Sequence, residues 1–250
     1  MSDKNTKETS FGFRQVDSNE KSKMVENVFD TVAPNYDLMN DLMSFGIHRL
    51  WKRVAIESSG LREDSKVLDL AGGTGDMVKL MRDKVGQEGL IVLSDINWNM
   101  LEEGRDRLIN EGIEGINLAQ IDAQFIPFKD ETFDLITIAF GLRNVTDKGK
   151  ALSSILGSLK KGGKLIILEF SKPTNEIFRE IYDIFSFEVI PKIGELIANT
   201  EESYRYLAES IRMHPTQEEL KILMEDEGFI DCQYENLTNG VVAIHSGTKG

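Results

Sequence analysis

The sequence predicts an α/β fold: a mainly parallel sheet of seven strands with helices on both faces, closed by an antiparallel C-terminal hairpin. Three observations carry this. Apolar strand-like runs alternate with helical patterns from Lys66 to Phe170, the rhythm of right-handed crossovers in a doubly wound sheet. The Leu165-Ile166-Ile167-Leu168 run suits a strand buried on both faces. Asn239-Gly240 stands between two further strand-like runs and is a two-residue hairpin signal.

In chain order, residues 1–22 read as a polar, weakly ordered arm, and residues 23–250 as a single domain. Val25, Val28, Phe29 and Val32 recur at helical spacing until Pro34 stops them. A second helix follows Gly46, with Leu50, Trp51, Val54 and Ala55 on one face, and ends at Gly60. Together these make a helical lid over 23–60. Val67–Leu70 is a strand running into a glycine loop. Met77, Leu80, Met81 and Val85 mark a helix, and Leu90–Leu93 a strand ending at Ser94-Asp95. Met100, Leu101 and Leu108 mark the next helix, and Ile116–Ile121 the third strand. Phe133–Ala139 is the fourth strand. A helix capped near Asp147 carries Ala151, Leu152, Ile155, Leu156 and Leu159 and ends at Gly162-Gly163. Lys164–Phe170 is the fifth strand. The rhythm breaks after Pro173, so residues 173–212 read as a helical insert. Thr216-x-x-Glu219 is a capping box opening a helix that ends at Gly228.

Composition narrows the function classes. The chain has 250 residues, 40% hydrophobic and 28% charged, with a net charge of −13. That charge repels phosphates, which argues against a nucleic-acid partner and against adhesion to anionic lipid by charge alone. The single cysteine, Cys232, precludes an internal disulfide and fits a reducing compartment. No apolar run nears the ~20 residues that span a bilayer, and Met1–Ser10 is polar, unlike a secretory signal. Three histidines and one cysteine show no metal-ligand spacing. The expectation is a cytoplasmic protein without a metal.

The run Asp69-Leu70-Ala71-Gly72-Gly73-Thr74-Gly75-Asp76 joins a strand to a helix. Glycines there allow a sharp turn and close approach of a ligand, and ligands of open α/β sheets sit beyond the carboxyl ends of the strands. Asp95 ends the second strand, where a carboxylate can accept hydrogen bonds from both ribose hydroxyls. Asp122-Ala123, after the third strand, would flank an adenine. The bland reading is a tight turn and a helix cap, but loop, acid and acid in strand order favour an adenosyl ligand. A nicotinamide cofactor calls for a third glycine, and Asp76, Met77 and Val78 follow Gly75 instead.

The glycine run resembles the first motif of class I S-adenosylmethionine-dependent methyltransferases, whose Rossmann-like fold also ends in an antiparallel hairpin. Further runs resemble the ubiquinone/menaquinone biosynthesis C-methyltransferase family: Tyr36-Asp37-Leu38-Met39-Asn40 through His48-Arg49-Leu50-Trp51, Phe140–Asp147, Leu159–Pro173 and Ser203–Ile211. The likeness extends from about Phe11 to His245. Lys161 stands where proline is usual, Gly157-Ser158 where Arg-Val is typical, and Ala139 where serine is common. The resemblance implies S-adenosyl-L-methionine as cofactor, held by Gly72, Gly73, Thr74, Gly75, Asp95, Asp122, Ala123 and the backbone at Ala139.

It also implies methyl transfer to a ring carbon of a polyprenylated benzoquinol or naphthoquinol. The cofactor carries the electrophile. The protein must place the ring and help remove a phenolic proton, whose free pKa is about 10. His48 is a candidate base, against a packing or capping role. Arg143 stays protonated, so it would stabilise a phenolate or orient a water, and Asn144 would bind a ring oxygen. Tyr36, Asp37 and Asn40 belong to the expected lid, with helix capping as their bland alternative. The apolar insert residues, among them Ile177, Phe178, Ile181, Ile184, Phe185, Phe187, Val189 and Ile190, suit packing on the sheet, a homodimer or quinone-pathway complex, or a wall for the prenyl tail open to the inner face of the membrane. A cofactor-binding scaffold and a methyltransferase for another small molecule stay open as alternatives.

Overall fold

Seven strands form one sheet in the order β5-β4-β3-β6-β7-β9-β8. Their ranges are β3 Lys66–Leu70, β4 Leu90–Asp95, β5 Ile116–Gln120, β6 Phe133–Ala139, β7 Leu159–Phe170, β8 Phe229–Leu237 and β9 Val242–Lys249. A shorter hairpin, β1 Glu8–Phe11 with β2 Arg14–Asp17, precedes them. The computed structural model describes residues 8–32, 46–176 and 201–250, and between these only positions 40, 41, 43, 44, 180, 182, 184, 187, 188 and 192.

β3 pairs in parallel with β4 and β6, β4 with β5, and β6 with β7. β9 pairs antiparallel with both β7 and β8. The strand order therefore reverses at β3, and the crevice beyond its carboxyl end is where such sheets bind ligands. The predicted α/β class, the closing antiparallel strands and the helices between strands all stand.

Among the described residues the helices are α1 Ser18–Val32, α2 His48–Glu57, α3 Asp76–Arg82, α4 Trp98–Asn110, α5 Lys148–Ser158, α6 Glu201–Met213 and α7 Gln217–Asp226. They cover both faces of the sheet, and the strand residues sort between two cores with period two. Val67, Ile166, Leu168 and Phe170 face the side of Trp51, Met77 and Leu101. Leu68, Leu70, Leu165 and Ile167 face the side of Ala151, Ile155, Leu220 and Met224. Two expected caps are present. Asp147 accepts from Lys150 N at 3.0 Å, and Thr216 and Glu219 form a reciprocal capping box.

Four details differ from the sequence reading. Within the stretch expected as an arm, 1–22, the residues from Glu8 form the β1–β2 hairpin and the start of α1. Phe11 stacks on Tyr206 with ring centroids 4.1 Å apart, an anchor too distant in sequence to be foreseen. On α2, Leu50 is exposed while His48 and Lys52 are buried, because Lys52 finds Asp76. The helix before β7 ends at Ser158, and Leu159 already pairs with Phe133 across a bulge. Gly162-Gly163 therefore lies inside the irregular start of β7. Finally, the β8–β9 connection spans four residues, Thr238–Val241, with Thr238, Asn239 and Gly240 all at positive φ.

Of the apolar insert residues, Ile184 is exposed and Phe187 stacks with Phe13 at 6.1 Å. Ile177, Phe178, Ile181, Phe185, Val189, Ile190, Tyr36 and Asp37 lie outside the described residues. No helix among the described residues is long and apolar enough to cross a membrane, and none of them form a metal-ligand cluster.

Candidate cofactor and active site

The loop after β3 turns through three left-handed residues: Ala71, Gly73 and Gly75, at φ 51°, 54° and 83°. Glycine takes that conformation without the Cβ penalty of other residues. Ala71 bears the strain, with Gly141 packed against it so closely that a Cβ there would sit 2.5 Å from the Ala71 Cβ. Gly104 of α4 has a similar role, since a Cβ on it would lie 2.7 Å from Gly73 O. The loop is thus clasped between α4 and the end of β6.

A pocket of about 790 Å³, including its open mouth, lies above this loop. Ala71 and Gly73 form its floor. Asp95, Ile96, Asn97 and Met100 come from the end of β4 and the start of α4. Ile121–Gln124 follow β5, and Phe140, Gly141 and Asn144–Thr146 follow β6. α1 makes the fourth wall through Ser22, Val25, Glu26 and Phe29. It is tied down by Asp30, which accepts from Asn97 Nδ2 at 2.7 Å and Asn99 Nδ2 at 2.9 Å.

Asp95 is the most informative acid here. Its carboxylate accepts from Gly73 N at 3.0 Å and Asn97 N at 2.9 Å. Burial pushes its carboxyl up to about 6, although those backbone bonds pull the other way. Asp122 accepts from Gln124 N at 2.9 Å and from the Gln124 side chain, and shares the pocket wall with Ala123.

Two further acids lie beneath the loop. Asp76 accepts from Lys52 Nζ at 2.6 Å and from Arg107 at 3.0 Å. Burial alone would favour its neutral acid, but the Lys52 and Arg107 charges hold the carboxyl below its usual value. Asp69 is fully buried, accepts from Thr137 Oγ1 at 2.6 Å, and is pushed up to about 7, chiefly by burial.

The expected site residues divide. Gly73, Asp95, Asp122, Ala123 and Asn144 line the pocket. Gly72 and Gly75 shape the turn from behind, and Thr74 is buried with its hydroxyl accepting from Arg107 at 3.2 Å. Ala139 packs in the core one residue before Phe140, which does line the pocket. Arg143 is turned away: its guanidinium donates to Glu169 Oε1 at 2.8 Å and to Phe140 O, with the side chain 2% exposed. Asn144 Oδ1 accepts from Tyr206 Oη at 2.9 Å. His48 Nε2 bonds Asp41 at 2.9 Å, while Nδ1 has no partner among the described residues. Burial, then the nearby Lys52 charge, lower its pKa, so the imidazole is neutral at pH 7. It sits one helical turn before Lys52, whose Nζ lies 5.8 Å from the Phe140 ring centroid. Phe140 in turn clusters with Trp51 and Phe170.

Sequence reasoning missed Asn97, Gln124, Phe140 and the α1 wall. The amphipathic α1 pattern was a visible signal for a packed helix, but not for which surface it would cover.

The sequence profile of the ubiE/COQ5 methyltransferase family matches residues 15–249, and the chain belongs to that family. It is 58% identical over 242 residues to a protein of Methylococcus capsulatus named ubiquinone/menaquinone biosynthesis C-methyltransferase UbiE, covering 96% of this chain and 98% of that one. A protein of the same name from Idiomarina loihiensis is 56% identical over 250 residues, the full length of both. In fold, the chain is similar to a SAM-dependent methyltransferase from Aquifex aeolicus (TM-score 0.63, 16% identity, 94% of this chain and all of that one). It is also similar to a SAM-dependent methyltransferase from Thermotoga maritima described as a possible histamine N-methyltransferase (TM-score 0.62, 21% identity, 90% and 99% covered).

Proposed function

We propose that this chain transfers the methyl group of S-adenosyl-L-methionine to a ring carbon of a polyprenylated quinol in ubiquinone and/or menaquinone biosynthesis. The observation that carries this reading is similarity from end to end, at 56–58% identity, to C-methyltransferases of those pathways. The pocket suits the cofactor. An acid with only backbone partners among the described residues, Asp95, faces it for the ribose hydroxyls. Ile96, Met100 and Ala123 offer apolar flanks for an adenine, with Asp122 at the edge. When bound, the cofactor supplies a methyl group made electrophilic by its sulfonium.

The chain's own residues then have three tasks. Asn144 spends its amide oxygen on Tyr206 and keeps its N–H groups to orient a quinol oxygen from the pocket wall. Arg143, locked to Glu169 and the Phe140 carbonyl, acts as a positioning residue that fixes the Asn144 segment. His48 is the proton acceptor in this reading: neutral, anchored through Nε2 by Asp41, with a buried Nδ1 that has no partner among the described residues. The Trp51–Phe140–Phe170 cluster walls that side off from water. A polyprenyl tail partitions into bilayers, so peripheral contact with the inner face of the membrane belongs to the same reading.

The test is incubation with labelled S-adenosylmethionine and reduced, demethylated prenylquinols of the benzo and naphtho types, followed by mass spectrometry of the product. The label is expected on a ring carbon. A methyl on oxygen would overturn C-transfer, and cofactor binding without any transfer would favour a scaffold. For the base, His48→Gln should lower kcat/KM about 100-fold or more with cofactor affinity retained. A loss under about threefold would remove His48 from that role.

A further inference from the structure

Behind the Arg143–Lys148 segment lies a second cavity, of about 480 Å³ with its mouth included. It shares Thr146 with the cofactor pocket but takes its other walls from the N-terminal hairpin, α1 and α6. Its lining is mostly polar, and two lysines from different elements, Lys21 and Lys148, line it close enough for the charge of one to act on the other. In a chain of net charge −13, such a place would be expected to hold a carboxylate against them. None does so for Lys21: the residue is only 4% exposed, yet its side chain has neither ion pair nor hydrogen bond among the described residues. Burial, and then the charge of Lys148, push its amine down to about 8. A buried cation without a counter-ion is costly, so the arrangement favours whatever anion can enter.

The acids near Lys148 are already engaged. Glu169 is held by Arg143 and by the Arg143 and Phe170 backbone amides, and Asp147 caps α5. Lys148 spends two of its three N–H bonds on Arg143 O and Val145 O, at 3.4 and 3.2 Å, leaving one to donate. Ser10 Oγ accepts from Gln15, so its own proton is free for a ligand. Ser210 and Tyr206 are spent on Leu207 O and Asn144 Oδ1.

We propose that this cavity binds a small phosphate anion through the Lys21 and Lys148 ammonium groups and the Ser10 hydroxyl. Point-like cations and a hydroxyl arriving from three separate elements match a tetrahedral anion with several acceptor oxygens. A planar carboxylate is better matched by a guanidinium fork, and the one here, Arg143, is committed to Glu169. The proposal stands apart from the methyl-transfer reading, because no residue it uses is assigned there.

The experiment uses the full chain, labelled with 15N at the lysine side chains, in chloride buffer at constant ionic strength. Inorganic phosphate and pyrophosphate are titrated in separate arms, and phosphatidic-acid vesicles in a third. The expected result is a saturable shift of the Lys21 and Lys148 Nζ signals with either soluble anion. Lys21→Met should weaken phosphate binding at least tenfold and abolish the phosphate-dependent rise in Tm, while its Tm in chloride is no lower than wild type. Should that variant fail to fold, the wild-type titration decides alone. Unmoved lysine signals, or signals moved only by vesicles, would overturn the proposal, as would an equal phosphate response in Lys21→Met.

Discussion

Two acids, the buried Asp95 and the partly buried Asp76, lie on opposite sides of the glycine loop, and their carboxyls are shifted in opposite directions. Asp76, below the loop, is clamped by Lys52 and Arg107, and its carboxyl is held low against the pull of burial. Asp95, above the loop, has only backbone N–H partners among the described residues and is pushed up to about 6. The same residue type thus does two jobs. An acid with cations around it holds elements together, here α2, α3 and α4. A buried acid left without a cation and facing a pocket marks a place for a ligand's donors.

The largest effect that sharpens this contrast comes from the clamp. Lys52→Ala leaves the partly buried Asp76 with half its counter-charge; removing one partner of a fully buried pair costs about 3–5 kcal/mol, so about 3 kcal/mol is expected here. At roughly 2–4 °C per kcal/mol for a chain of this size, Tm should fall by about 10 °C, measured by thermal unfolding. A change under about 2 °C would mean that the pair is not structural.

Next comes Asp95→Asn, which should act on binding. Two charge-assisted hydrogen bonds to the ribose, at about 1.5–3 kcal/mol each, would be weakened, so calorimetry should show S-adenosylhomocysteine bound about 30- to 100-fold less tightly. Tm should stay within about 5 °C of wild type. If Tm collapses while affinity holds, the two acids have been assigned the wrong way round.

The pH dependence is smaller. Hydroxyl donors favour the carboxylate form of Asp95, so cofactor binding releases its proton. Affinity should be full above pH 7 and fall about tenfold as pH drops through about 6. Asp95→Asn should flatten that profile. For folding alone the sign is reversed: a carboxyl raised in the folded state contributes stability below the unfolded carboxylate range, near 4, that is lost as pH rises through about 6. The smallest effect is Arg107→Met. Its pair with Asp76 is partly exposed and Lys52 remains, so a loss of about 1 kcal/mol is expected, read as a few degrees in Tm.

The same contrast explains what was legible in the sequence. Apolar periodicity located the seven strands of the main sheet and most described helices, because burial of an apolar stripe depends on local spacing. The placement of the glycine loop and Asp95 at one pocket is legible because their order along the chain mirrors strand order. Lys52 was not: a buried lysine looks like a surface one until Asp76 is placed beside it, and α2 was therefore read with Leu50 inward. The partner of Arg143 is hidden from the sequence for a related reason. Its position after β6 places it at the carboxyl edge of the sheet, but Glu169 near the end of the neighbouring β7 holds the guanidinium, and that contact spans 26 residues. The N-terminal hairpin was missed because its anchor, Tyr206, lies on α6.

The most direct measurement of the central claim is the titration of the Asp95 carboxyl by 13C NMR, with and without S-adenosylhomocysteine. The account predicts a midpoint near 6 in the free protein that moves to lower pH when the cofactor product binds, because its ribose hydroxyls donate to the carboxylate. A midpoint that stays in place on binding would contradict the assignment of Asp95 to the ligand.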